Sequence, residues 1–212
     1  MAKTTSLDFN DARDYALNLF KYYENETDTR LINSNRMFAL ALLIGLDTGA
    51  RITDILNMKF SDVYEMEDYY NVWKIKYKVH KSSKDTEWII STKTQGKITE
   101  TQEWLKKKFY SKTVAPDLIF INPETGKSYT REWARKRVIR ANKLQPMKRG
   151  NGALGFHSVR KTAANELYKR CKDLRVVKDQ LMHSKLTTTN LYLGLDKKTS
   201  MEKAMRAMGY IS

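Results

Sequence analysis

One segment of this sequence is apolar on almost every side when it is drawn as a helix. Residues 30–47 bring Met37, Leu40 and Leu43 together with several other apolar side chains, and Gly49 follows them. A helix that is hydrophobic round most of its circumference has to be buried, and glycine commonly ends a helix. The sequence therefore predicts a central buried helix over 30–47, against which other elements pack.

The rest of the chain has mainly helical periodicity, with one change of period. Apolar residues recur at helical spacing in seven further segments: 8–23, 51–58, 94–110, 131–149, the segment opened by His157, 174–182 and 197–208. Apolar and polar residues alternate in the run 72–79, and 87–90 forms a second apolar run, which is typical of strands. These two runs predict a β-hairpin with Lys81 and Lys84 at its tip.

The segment 51–58 should present two different faces. Ile52 and Ile55 fall on the side that a helix would bury, whereas Arg51 and Asp54, three residues apart, share the opposite side. Taken alone, this segment favours a surface ion pair between Arg51 and Asp54.

The charge of the chain is strongly positive and unevenly distributed. Lys and Arg number 39 against 24 Asp and Glu, which gives a formal net charge of +15. Residues 49–212 carry 34 of the basic and 17 of the acidic side chains, and 131–149 alone has eight basic residues and one acid, Glu132. This balance predicts a polyanionic partner, either nucleic acid or an anionic membrane surface, and makes 131–149 a candidate phosphate-contacting face.

Cysteine content and hydropathy indicate the cellular compartment in which this protein is expected. The single cysteine, Cys171, excludes an internal disulfide framework and a CxxC metal site, as expected for a reducing cytoplasm. No apolar run approaches the ~20 residues that span a bilayer, and the N-terminal residues lack a signal-peptide core. We therefore expect a soluble cytoplasmic protein.

Two short motifs suggest chemistry on an anion. His157 and Arg160 are three residues apart at the predicted start of a helix, where backbone N–H groups favour negative charge. Further on, His183 precedes Tyr192 by nine positions, and Tyr192 is expected on or beside a short helix capped near Ser184 or Thr187. A tyrosine hydroxyl has a pKa of ~10 and needs neighbouring cations or a base before it acts as a nucleophile.

In their order along the chain these motifs resemble a known family. The segment TGARITDIL with Arg51, a hairpin lysine, HSVR with His157 and Arg160, and then His183 and Tyr192 are together similar to the catalytic domain of the tyrosine recombinases. That family includes phage integrases and chromosome-dimer resolvases. The resemblance runs from about residue 8 to the C-terminus and implies a mainly helical α+β domain with a small antiparallel sheet.

The resemblance also implies a role for each motif residue. Arg51 and Arg160 match the family's two arginines, Asp54 matches an acidic residue that supports the site, and Tyr192 matches the nucleophile. The remaining positions are His157 in the HxxR motif, His183 at the second histidine position, and Lys81 or Lys84 as the hairpin lysine. Lys81 is the preferred proton donor because it lies closer to the strand that ends near Val79. Two features depart from the family: Lys161 stands where a histidine is common, and the hairpin is about two residues longer.

A recombinase of this kind would form a 3′-phosphotyrosyl link with DNA, without a metal or another cofactor. Its partners would be double-stranded DNA and further copies of itself, as a tetramer on paired sites, with no membrane, in a prokaryotic nucleoid or a phage-infected cell. The side chains expected to bind DNA are basic: Arg131, Arg135, Lys136, Arg137, Arg140, Lys143 and Lys161.

The domain organisation follows the same resemblance. We expect 1–212 to be a single catalytic domain with an N-terminal tail, 1–7, and a C-terminal helix within 197–212 that packs on a neighbouring protomer or on its own domain. We expect the family's N-terminal DNA-clamping domain to be missing from this sequence, which would then be either the catalytic part of a longer chain or a naturally short recombinase. Alternative functions are a non-catalytic DNA-binding regulator, a type IB topoisomerase-like strand transferase and, least favoured, a membrane-surface protein.

Overall fold

Helices carry most of the regular structure. The computed structural model describes residues 5–22, 27–65, 72–78, 85–144, 153–195, 201 and 205–210. Its helices are α1 (Phe9–Tyr22), α2 (Thr29–Thr48), α3 (Ile52–Ile55), α4 (Thr92–Phe109), α5 (Arg131–Leu144), α6 (Phe156–Cys171), α7 (Leu174–Gln180) and α8 (Leu186–Leu193). Its strands are β1 (Val63–Glu65), β2 (Trp73–Lys78), β3 (Asp85–Ile90), β4 (Ile121–Asn122) and β5 (Lys127–Ser128). The chain divides into two compact units, Met1–Ala163 and Ala164–Ser212, and the boundary falls inside α6.

The predicted central helix is confirmed as α2. Asp28 caps its start, because the Asp28 carboxylate accepts hydrogen bonds from the N–H groups of Arg30 and Leu31. These two N–H groups belong to the first turn, where a helix offers them no carbonyl partner of its own. At the other end Gly49 adopts a left-handed conformation, with φ 65°, and closes the helix.

The interior of α2 forms the centre of the unit Met1–Ala163. From Met37 to Leu46 its side chains are almost completely buried. Helices α1, α3 and α4 and strand β3 pack against it. This packing explains why the segment is apolar round most of its circumference, since a helix with neighbours on most sides has little surface left for water.

The predicted hairpin is confirmed as β2 and β3, which pair in antiparallel register. Ile75 lies opposite Trp88, and both are buried, whereas Lys76 and Lys78 alternate outward. A third strand, β1, pairs with the other edge of β2 and was not predicted. The two-residue strands β4 and β5 form a separate hairpin, closed by a turn in which the Gly126 N–H donates to the Asn122 carbonyl over 2.9 Å.

Other element boundaries differ modestly from the prediction. Helix α3 has four residues instead of spanning 51–58, and α5 ends at Leu144, with residues 145–149 outside the described part of the chain. Residues 5–7, expected in an N-terminal tail, are packed: the Leu7 N–H donates to the Thr162 hydroxyl over 2.7 Å.

The unit Ala164–Ser212 has its own small core. Ala164, Val177 and Leu181 are buried there, and Tyr192 and Leu193 pack against them. The predicted helix 197–208 lies largely outside the described residues. None of the described helices is both long enough and apolar enough to cross a membrane.

Candidate active site

The turn after α2 fixes the start of α3. The Thr48 hydroxyl donates to the Ile44 carbonyl over 2.6 Å and accepts from the Ala50 N–H over 3.0 Å. With Gly49 in the left-handed region, these bonds leave Arg51 in an extended conformation as the N-cap of α3. The sequence Thr-Gly-Ala-Arg therefore ends one helix and sets the position from which the Arg51 side chain projects.

The same turn holds the second arginine. Arg160 lies in the second turn of α6 and is only 4% exposed, and its Nη1 donates to the Gly49 carbonyl over 2.6 Å. A buried guanidinium requires hydrogen-bond partners, and this carbonyl supplies one of them. Arg160 is thus tied to the backbone two residues before Arg51, which brings the two predicted arginines to one place.

The start of α6 is held by reciprocal hydrogen bonds. The Ser158 N–H donates to the Gly155 carbonyl over 2.8 Å, and the Gly155 N–H donates to the Ser158 hydroxyl over 3.3 Å. This cap fixes the first turn, in which His157 lies with its side chain exposed at the surface.

The environment of His157 favours its neutral form. Desolvation by the surrounding protein is the largest cause that lowers the pKa of His157, and the charges of Arg131, Arg160 and Arg51 lower it further. A neutral imidazole has one ring nitrogen that can accept a proton. Within Met1–Ala163 the structure therefore brings Arg51, His157 and Arg160 together, with Arg131 near them, and their roles stay predictions.

Asp54 corrects one prediction. The carboxylate was expected in a surface ion pair, but Asp54 is 1% exposed. Burial raises the pKa of the Tyr77 hydroxyl to about 12, and the charges of Asp54 and Asp62 add to the effect. Tyr77 on β2 is therefore close enough to sense Asp54, and the position of Asp54, which periodicity alone assigns to solvent, is buried.

The hairpin lysines cannot be placed. Lys78 pairs with Asp85 at the end of the hairpin ladder, and the connecting residues 79–84, including Lys81 and Lys84, lie outside the described residues. Their roles stay predictions.

His183 and Tyr192 lie together in the unit Ala164–Ser212. Their ring centroids are 5.5 Å apart in an edge-to-face arrangement, with an interplanar angle of 81°. The Nδ1 atom of His183 is 3.0 Å from the hydroxyl of Thr189, which is fully buried. Thr189 thus orients the imidazole, a role that the sequence did not suggest, because the threonines were interpreted only as helix caps.

Tyr192 lies on α8, as predicted, although the cap differs. The N-cap of α8 is Lys185, without a side-chain cap bond, instead of Ser184 or Thr187. Tyr192 packs on the small core of this unit, and the residue keeps part of its surface accessible. It is therefore held by the unit without being fully enclosed.

The basic residues of α5 are not equivalent. Arg135 donates two hydrogen bonds to Glu132, over 2.9 and 2.8 Å, and the Arg137 guanidinium lies over the Phe38 ring at 5.4 Å. Lys136, Arg140 and Lys143 are exposed, whereas Lys161 on α6 is half-buried. The described part of the chain contains no group of three or more His, Cys, Asp or Glu side chains that could hold a metal ion, and the expected absence of a metal stays a prediction.

Comparison with known proteins decides the family. A sequence model described as the phage integrase family matches residues 15–199. The chain belongs to this family.

Its relatives in the phage integrase family are distant in sequence. The chain is 26% identical over 175 residues to the probable integrase/recombinase YoeC of Bacillus subtilis, an alignment that covers 82% of this chain and 87% of that protein. It is 29% identical over 160 residues to the tyrosine recombinase XerH of Campylobacter jejuni, covering 74% of this chain and 41% of XerH. The predicted class, a tyrosine-type site-specific DNA recombinase of the integrase family, is confirmed.

Solved structures share the integrase-family fold. A pre-cleavage complex of XerH with its difH substrate superposes with a TM-score of 0.68 at 23% identity, covering 94% of this chain and 53% of that one. A lambda integrase dimer bound to a COC′ core site gives a TM-score of 0.56 at 17% identity, covering 90% and 48%. The predicted α+β catalytic-domain fold is confirmed, and the chain spans about half the length of these two proteins.

Proposed function

We propose that this chain cleaves and rejoins DNA strands at specific sites through a covalent bond between Tyr192 and a 3′-phosphate. The observation that carries the proposal is the anchoring of Arg160 on the Gly49 carbonyl, two residues before Arg51 and beside a His157 whose pKa is lowered. Two guanidiniums and a neutral imidazole form a site for a phosphodiester that is about to gain negative charge.

In the proposed reaction the Tyr192 oxygen attacks the phosphorus while the bond from phosphorus to the 5′-oxygen breaks. The tyrosine loses its proton and the departing 5′-oxygen gains one, so the step is a transesterification that conserves a phosphodiester bond. The released 5′-hydroxyl can attack the phosphotyrosine to rejoin the strand. No nucleotide triphosphate is needed for this exchange.

Each side chain has a defined part in that step. Arg51 and Arg160 donate hydrogen bonds to the nonbridging oxygens as charge accumulates on them. His157, kept neutral by its surroundings, assists removal of the tyrosine proton. His183, oriented by Thr189, donates a hydrogen bond to the phosphate.

The experiment that tests the function uses nicked DNA carrying candidate sites, in buffer with EDTA. Covalent adducts on a denaturing gel are expected, because the chemistry requires no divalent metal. The absence of any adduct with every site tested, while the DNA is bound, would instead support a non-catalytic DNA-binding regulator.

The proposed oligomer is a tetramer on paired sites. Met201, Met208 and Tyr210 are 66%, 65% and 69% exposed, so these apolar side chains are available to pack on a neighbouring protomer. The mass of the complexes on one-site and two-site DNA measures how many copies assemble.

The proposed proton donor to the 5′-oxygen is Lys81. We expect Lys81→Ala to cleave ordinary DNA roughly 10²- to 10⁴-fold more slowly, the range for loss of a general acid. On DNA with sulfur in place of the bridging 5′-oxygen the rate should recover, because a thiolate, with a thiol pKa of ~8.5, leaves without a proton. Lys84→Ala is the matched control and should cleave both substrates at near wild-type rates. Sulfur rescue of Lys84→Ala alone would exchange the two assignments.

The proposed DNA surface includes the exposed side chains of α5. Replacing both Lys136 and Arg140 by Gln should lower the log–log slope of affinity against salt by ~2, because each neutralised phosphate contributes ~0.9 to that slope. The matched control, Lys106→Gln with Lys107→Gln, removes two exposed charges from the end of α4 and should leave the slope unchanged. If the variant of Lys136 and Arg140 kept the same slope as the control variant, the DNA would have to bind away from α5. Binding by fluorescence anisotropy over a salt series gives the slopes.

A further inference from the structure

A cavity of about 490 Å³ opens beside His157, within the unit Met1–Ala163. Its walls come from the start of α3, the first turns of α5 and the segment that enters α6. The lining residues are Ile52, Arg131, Glu132, Arg135, Ala153, Leu154, Gly155, Phe156 and His157. Because His157 lines it, the cavity adjoins the group of side chains proposed to bind the cleaved phosphate.

The charged side chains of this cavity comprise one ion pair, between Arg135 and Glu132, and one further arginine, Arg131. Arg135 and Glu132 satisfy each other through two hydrogen bonds, so this pair contributes little net charge. Arg131 is exposed, and no ion pair of Arg131 is found among the residues that the structure describes. The cavity therefore has a net positive charge that comes from Arg131.

Arg131 is also close to His157. Of the three guanidiniums that lower the pKa of His157, Arg131 has the largest effect, ahead of Arg160 and Arg51. Thr130 fixes its position, because the Thr130 hydroxyl accepts from the Trp133 N–H over 3.1 Å and caps the start of α5. The backbone of Arg131 is thus fixed where its side chain lines the cavity together with the candidate catalytic residue His157.

We propose that this cavity, with Arg131, binds the DNA phosphate adjacent to the one that is cleaved. A guanidinium matches the two nonbridging oxygens of a phosphodiester, and the amino ends of α5 and α6 add a favourable dipole. This assignment separates Arg131 from the other basic residues of α5, which contact the backbone over a wider surface. The inference rests on the proposed function.

The test combines one protein variant with DNA in which single phosphates are neutralised. Methylphosphonates replace, one at a time, the phosphates adjacent to the cleaved one on either side, and single-turnover cleavage is measured. Arg131→Gln should slow cleavage of ordinary DNA roughly 10- to 100-fold, the usual effect of losing a hydrogen bond to a charged group. At one adjacent position the methylphosphonate should slow the wild type similarly and slow Arg131→Gln no further.

Arg140→Gln provides the control on the same helix. Its effect should add to that of the methylphosphonate at every position, because Arg140 does not line the cavity. Arg131→Lys, which keeps the charge, should remain sensitive to the same methylphosphonate as the wild type. Additive effects for Arg131→Gln at all positions, or unchanged cleavage by that variant, would overturn the inference. Failure of the wild type to form an adduct with any DNA would instead reject the proposed function.

Discussion

Tyr192→Phe is expected to bind DNA like the wild type and to form no covalent adduct. The substitution removes one oxygen and keeps the ring that packs against the buried Val177 and Leu181. The free energy of unfolding should therefore change by no more than about 1.5 kcal/mol, the net contribution of one hydrogen bond. Denaturing gels with nicked DNA measure the adduct, and gel-shift assays measure binding.

Tyr168→Phe is the matched control for Tyr192→Phe. Tyr168 packs against the same small core and lies in the same unit, so the control makes an equivalent change without touching the proposed nucleophile. It should form adducts at the wild-type rate. An adduct that persists in Tyr192→Phe and disappears in Tyr168→Phe would move the nucleophile to Tyr168.

Replacement of Arg160 should affect both activity and stability. Arg160→Ala removes a donor to the accumulating charge, which typically lowers the rate by about 10²- to 10³-fold. It also leaves the buried Gly49 carbonyl without this hydrogen bond, at a cost of ~1–3 kcal/mol in the free energy of unfolding. Arg160→Lys keeps the charge but loses the planar fork, so its cleavage rate should also fall.

Denaturant unfolding and single-turnover cleavage distinguish these two effects of Arg160. The control is Arg170→Ala on the same helix, where an exposed arginine pairs with Glu166 over 2.8 Å. An exposed pair of this kind contributes at most about 1 kcal/mol, so stability and cleavage should change little. Wild-type cleavage by folded Arg160→Ala would remove Arg160 from the proposed mechanism.

Much of the fold could be predicted because its longest elements have clear periodicity. Helix α2 is apolar round most of its circumference, and β2 alternates strictly, so both were identified. Strand β1 has three residues and β4 has two, which is too short for a period to emerge. The burial of Asp54 was missed because the periodicity of one helix does not show which other elements of the fold pack around it.

The sequence indicated the residue types of the candidate site but not their contacts. Motif order singled out Arg51, His157 and Arg160, the side chains that are proposed to carry the chemistry. The Gly49 carbonyl that anchors Arg160 belongs to the main chain, so the residue type at this position does not indicate its role as a hydrogen-bond acceptor. The influence of Arg131 on His157 depends on two helices meeting, which sequence spacing cannot reveal.

The anchoring of Arg160 has a consequence for how this site tolerates genetic change. A main-chain oxygen is present whatever side chain is encoded at position 49, so no codon change there can delete the acceptor itself. What a substitution can alter is the left-handed backbone, φ 65°, that aims this oxygen at Arg160. A replacement of Gly49 would therefore act through backbone shape, and asparagine, which enters this region more readily than other non-glycine residues, should disturb that shape least.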